Sequence, residues 1–116
     1  MGVYVCENRI LGSKNIRRNS PKSTIIFDDV FQHRKIKPSL SILTTPYGDP
    51  FFTDYILPVG RLREPRLSAH RADCIVVTKC PEALTDEDYN SVKYKLSKRS
   101  KPICFTHVEY GEMKHV

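Results

Sequence analysis

Asp28 and Asp29 stand side by side at the end of an apolar run, Thr24-Ile25-Ile26-Phe27, and Gln32, His33 and Arg34 follow at once. An unbroken series of β-branched and aromatic residues suits a buried strand. In open α/β sheets the C-terminal ends of strands face the ligand crevice. Two adjacent carboxylates placed there repel each other, partly desolvated, unless a cation is shared between them. Mg²⁺ takes one or two carboxylates together with phosphate oxygens and water, so the pair suits a phosphoryl-transfer site. Asp is also a favoured turn residue. A strand ending in a plain Asp turn accounts for the same residues, and on this segment alone the two readings weigh equally.

The elements that would position the pair alternate between strand and helix. Residues 3–5 read as a short strand, and Ile10, Leu11 and Ile16 seed a helix that Ser20-Pro21 ends. Residues 23–27 form the strand carrying the acid pair. Residues 40–44 form another, bounded by Pro38 and Pro46. From Tyr47 to Pro65 the aromatic residues Tyr47, Phe51, Phe52 and Tyr55 mix with prolines and glycines, which predicts a structured loop with one helical turn. Residues 74–78 are a buried strand. Thr85 caps a helix whose first turn holds Asp86, Glu87 and Asp88, matching the positive helix end. Tyr89, Val92 and Leu96 give that helix an apolar stripe. A last strand over 102–106 precedes a polar tail. This alternation predicts an α/β fold with a parallel, Rossmann-like sheet.

The charge balance is +6, from 19 Lys and Arg against 13 Asp and Glu. The cations gather in three places. Lys14, Arg17, Arg18, Lys22, Arg34, Lys35 and Lys37 surround the acid pair in sequence. Arg61, Arg63, Arg66, His70 and Arg71 occupy a loop, and Lys93, Lys95, Lys98, Arg99 and Lys101 close a helix. Such surfaces attract phosphates of nucleotides, lipid heads or nucleic acid. The helix-end group also simply complements the helix dipole. The arginine loop, flanked by Gly60 and containing Pro65, suits bidentate phosphate contacts. Cys6, Cys74, Cys80 and Cys104 form no CxxC pair, and His33, His70, His107 and His115 are dispersed, which argues against structural zinc and for small buried thiols in a reducing compartment. No apolar run approaches the ~20 residues that span a bilayer. Hydrophobic residues make up 40% and charged residues 28%, the balance of a globular domain rather than a disordered chain.

Three ordered motifs resemble one family. Asp28-Asp29-Val30-Phe31-Gln32-His33-Arg34 is similar to the DDxFQHR segment of tetraacyldisaccharide 4'-kinases, which phosphorylate the lipid A precursor of Gram-negative bacteria. Leu57-Pro58-Val59-Gly60-Arg61-Leu62-Arg63-Glu64-Pro65 resembles their LPAGPLREP loop, with Val59 and Arg61 as departures. Arg71-Ala72-Asp73-Cys74-Ile75-Val76-Val77-Thr78-Lys79-Cys80-Pro81 resembles the RAD-strand-TKCP segment of Bacteroidetes-type members, and Val5-Cys6-Glu7-Asn8-Arg9 a strand end of that branch. The resemblance implies a P-loop-type α/β kinase using ATP and Mg²⁺ on an acylated disaccharide 1-phosphate. It implies a peripheral location on the cytoplasmic face of the inner membrane, reached through parts outside this chain, and no nucleic-acid partner.

The five glycines, Gly2, Gly12, Gly48, Gly60 and Gly111, permit no GxxxxGK[ST] loop. By resemblance, that loop, a membrane-associating helix and a catalytic Asp lie upstream of this segment, and a further part with an assisting His lies downstream. The 116 residues are therefore expected to be one partial α/β domain, the middle of a longer kinase, inactive alone. Its sheet should be incomplete, with an exposed edge that invites self-association.

Roles then follow from chemistry. Asp28 and Asp29 hold the metal and serve catalysis, and Glu64 is a third acidic contributor. Arg63 clamps Glu64 or a phosphate, or else forms an ordinary loop salt bridge with Glu64. Gln32 and His33 orient the sugar or nucleotide, although His33 would also serve as a packing residue. Thr78-Lys79 has a weak likeness to guanine-reading loops, and Lys79 reads better as a solvated strand end. Two other classes stay open: a basic nucleic-acid-binding module, without a recognisable motif, and a kinase-derived interaction domain without catalysis.

Overall fold

The computed structural model describes residues 2–97 and 101–111. Contacts divide the chain into two compact units, Met1–Pro38 and Ser39–Val116.

In the first unit, helix α1 spans Arg9–Asn19. Asn8 starts it by accepting the Leu11 N–H on its side-chain oxygen at 3.1 Å, which satisfies one of the orphan amides of the first turn. At the other end the Ser20 N–H reaches the Ile16 carbonyl, and Pro21 stops the helix where the sequence predicts. Arg17 and Arg18 in the last turn complement the dipole. Two expectations are corrected here. Residues 3–5 and 23–27 form no strand, and Ile26 is 84% exposed. A strand is a property of a pair, because its amides and carbonyls need a neighbouring ladder. Among the described residues no backbone ladder reaches either segment.

The second unit is built on a parallel sheet of β1 (Ile42–Pro46), β2 (Cys74–Thr78) and β3 (Ile103–Phe105), in that order. Parallel neighbours require crossovers. Residues 47–73 supply the first, ending in a 3₁₀ helix over Arg66–Arg71, and α2 (Asp86–Ser97) supplies the second. This is the parallel α/β sheet that the alternating pattern predicts. β2 and β3 fall where expected. β1 lies two residues later than expected and includes Pro46, which an edge strand tolerates because its lost N–H removes no ladder bond there. Asp73 sets the register: its carboxylate accepts the Ser41 N–H at 2.8 Å, and its own N–H donates to the Ser41 carbonyl at 2.8 Å.

One sheet face packs against α2. Ile75, Val77, Cys80 and Leu96 form the buried centre, bordered by Phe51, Phe52, Val92, Ile103 and Phe105. Thr85 caps α2 by accepting the Asp88 N–H, and Tyr89 sets its ring 4.5 Å from that of Phe105. Thr45 is buried in the sheet and accepts the Phe51 N–H at 3.0 Å, so its hydroxyl is not stranded. Of the helix-end cations, Lys98 and Arg99 lie outside the described residues, as does His115.

The loop between β1 and β2 is structured, but its helical turn comes after residue 65 rather than before it. Leu57 N–H donates to the Leu62 carbonyl and Leu62 N–H to the Tyr55 carbonyl, both at 2.9 Å, so the chain doubles back around Gly60. A Cβ at Gly60 would lie 2.3 Å from the Tyr55 carbonyl oxygen and 2.4 Å from Asp54 Oδ1. Backbone on this doubled segment cannot yield cheaply. Gly60→Ala therefore destabilises the protein by about 1–3 kcal/mol, the range of overpacked sites, read as a lower urea midpoint at unchanged m-value. Gly48→Ala is the control, since nothing lies within 4 Å of its added methyl. Equal stability of the two variants would contradict the close approach.

Candidate functional site

Asp28, Asp29, Gln32 and His33 belong to the first unit, and Arg63 and Glu64 to the second. Asp28 and Asp29 sit on a bend with both side chains exposed rather than partly desolvated. Asp29 has φ of 46°, in the left-handed region. Asp tolerates that region better than most residues, and off-basin backbone of this kind gathers at ligand clamps and switch segments. Tight turns follow: His33 N–H donates to the Val30 carbonyl at 2.8 Å, and Ile36 N–H to the His33 carbonyl at 2.9 Å. These turns bring Gln32 and His33 to an open cleft shared with Asn8 and Arg9 at the start of α1, with Arg34 and Lys35 on its wall. Arg9 is folded back, donating to the Cys6 carbonyl at 2.6 Å. Among the charged residues lining the cleft, Arg9, Arg34 and Lys35 outnumber Glu7.

Among the described residues no three His, Cys, Asp or Glu side chains converge as a metal cage. The acid pair is a different donor set, two accessible hard carboxylates on one turn. That set fits Mg²⁺, which binds through one or two carboxylates and leaves its other positions to phosphate and water.

The arginine loop is organised by internal partners. Arg61 spans two carboxylates: its Nη2 donates to Asp49 at 2.6 Å and its Nε to Asp54 at 3.2 Å. The Tyr55 N–H, 2.7 Å from Asp54 Oδ1, holds the Asp54 carboxyl below its ordinary range, and Arg61 adds to the effect. Arg66 donates to the Asp54 carbonyl at 2.6 Å and stacks over Tyr55, 4.7 Å from the ring centroid. Glu64 pairs with Arg71. Arg61, Arg66 and Arg71 thus fasten the loop, where the sequence suggested phosphate contacts. Arg63 points to the exposed side. Lys79 is an exposed residue with φ of 55°, turning the chain out of β2. The roles of Arg61, Arg71 and Asp73 are absent from the sequence reading, because their partners lie 7 to 32 residues away and carry no local periodicity.

The family model for tetraacyldisaccharide-1-P 4'-kinase matches residues 1–116. The chain belongs to that family. Its relatives include the tetraacyldisaccharide 4'-kinase of Cytophaga hutchinsonii, 42% identical over 98% of this chain and 33% of the relative. The kinase of that name from Flavobacterium johnsoniae is 41% identical over 93% of this chain and 32% of its own length. That of Bacteroides thetaiotaomicron is 38% identical over 98% and 31% respectively. The chain therefore spans about a third of the length of these curated relatives. No solved structure matches it. Among the described residues, no helix of this family member is long and apolar enough to cross a membrane.

Proposed function

We propose that the chain is the middle segment, one partial α/β domain, of a longer enzyme that transfers the γ-phosphate of ATP to the 4'-hydroxyl of a tetraacyldisaccharide 1-phosphate in lipid A biosynthesis. The observation that carries this reading is the family match over the whole chain. Asp28 and Asp29 would hold Mg²⁺, directly or through water, and the ion would supply charge neutralisation to the transferring phosphoryl group. Gln32 and His33, presented at the cleft, orient the sugar or the nucleotide. Glu64, held by Arg71, contributes as a further acid of the enzyme, and Arg63 meets a phosphate. The parent works at the cytoplasmic face of the inner membrane through parts outside this segment. The exposed edges β1 and β3 leave the isolated segment prone to self-association.

The isolated 116 residues contain no GxxxxGK[ST] loop, so they are expected to be inactive. Catalytic groups acting as a unit lose nearly all rate when one is missing. The experiment compares the complete reading frame with the purified segment, each given ATP, Mg²⁺ and lipid substrate. Phosphorylated lipid is expected from the complete protein only. No product from a complete protein with an intact phosphate loop overturns the activity, and product from the segment alone overturns the placement of the catalytic parts.

A further inference from the structure

The sheet face turned away from α2 carries two thiols. Val76 of β2 faces Cys104 of β3, so Val76, Cys104 and Cys74 share that face. Cys74 is half-buried, Cys104 is exposed, and both are free thiols. Cys74 Sγ lies 3.8 Å from the Ile75 carbonyl oxygen, and desolvation, with Cys104 beside it, raises the Cys74 thiol above its ordinary value. Ile42, 52% exposed, borders them on β1, giving the pair an apolar, accessible setting.

The offset decides what such a pair can take. Cys74 is diagonal to Cys104; parallel neighbours lie about 4.8 Å apart and rise about 3.3 Å per residue, which sets Cα atoms two residues out of register roughly 8 Å apart. A disulfide needs Cα atoms within about 6.8 Å. A larger soft atom inserted between the sulfurs has no such requirement, and thiolates select soft acceptors. Zinc, which closes its structural sites with four ligands, finds no third Cys, His or acid here among the described residues.

We propose that Cys74 and Cys104 form a two-thiolate site for a soft, thiophilic acceptor of low coordination number, of the trivalent arsenic class. With phenylarsine oxide the step balances without an oxidant: two S–H bonds break, two As–S bonds form, and the oxide oxygen leaves as water with both protons. The site is independent of the kinase reading.

The experiment titrates the reduced, full 116-residue chain with phenylarsine oxide in the presence of excess 2-mercaptoethanol, followed by intact mass. One adduct per chain is expected. Cys74→Ser and Cys104→Ser should each weaken it by about 100-fold or more, because the second bond becomes intermolecular, while Cys6→Ser and Cys80→Ser leave it unchanged. Far-UV circular dichroism checks each variant's fold. Alkylation mapping of the wild-type chain removes dependence on any variant: the arsenical should protect Cys74 and Cys104 together. Protection of Cys6 or Cys80 instead, retention of the adduct in a folded Cys104→Ser chain, or no monothiol-resistant adduct overturns the site.

Discussion

Asp28→Asn or Asp29→Asn in the complete kinase is expected to lower kcat by roughly 100- to 1,000-fold, ~3–4 kcal/mol, the size of losing one preorganised electrostatic contact to a developing transition-state charge. Asn keeps the size and hydrogen-bonding shape of Asp and removes its charge. At position 29 this matters doubly, because Asn also tolerates the left-handed φ of 46° that an alanine would strain. Both carboxylates are exposed, so stability should change by no more than about 0.5 kcal/mol. At least one variant should also need more Mg²⁺ for its half-maximal rate. The measurement is kcat against Mg²⁺ concentration, alongside thermal melting. Near-normal rates with unchanged Mg²⁺ dependence in both variants would make the pair a plain turn. A large loss of stability would place the defect in folding instead.

How much of this was legible in the sequence depends on whether an element's cause is local. α2 was legible because Thr85, three acids and a 3–4 apolar stripe lie within twelve residues of one another. β2 was legible because Cys-Ile-Val-Val-Thr is apolar on both faces, the mark of a strand inside a parallel sheet. β1 was displaced because Pro46 reads as a terminator unless the strand is known to be an edge. Residues 23–27 have the composition of a strand but no ladder among the described residues, and composition does not carry a partner with it. The acid pair was singled out by its chemistry and motif. The internal partners of the loop arginines were not legible, because a guanidinium looks the same in sequence whether it awaits a phosphate or grips Asp49 and Asp54. The Arg71 partner of Glu64 comes from the loop's return path, seven residues on, where no local pattern marks it.

The largest expected stability effect belongs to Leu96. The buried hydrophobic residues among those described are Ala69, Ala72, Ile75, Val77, Cys80 and Leu96, and Leu96, 1% exposed, is the helix's contribution to that centre. Two alanines and a cysteine leave only three large aliphatic side chains to exclude water fully. Leu96→Ala removes one of them and leaves a cavity between α2 and the sheet, at a cost of about 2–5 kcal/mol. Whole domains of this size are stable by only about 5–15 kcal/mol, so the variant should melt on the order of 10 °C lower or more. Leu96→Met conserves volume and should cost less than about 1.5 kcal/mol. Leu67→Ala makes the same chemical change at a side chain that is 79% exposed, and should stay within about 0.5 kcal/mol. Melting curves of the three variants separate burial from helix propensity, since alanine is the better helix former and propensity alone would make Leu96→Ala neutral or stabilising. If Leu96→Ala melted with Leu67→Ala, the packing of α2 on the sheet would not be what holds the second unit together.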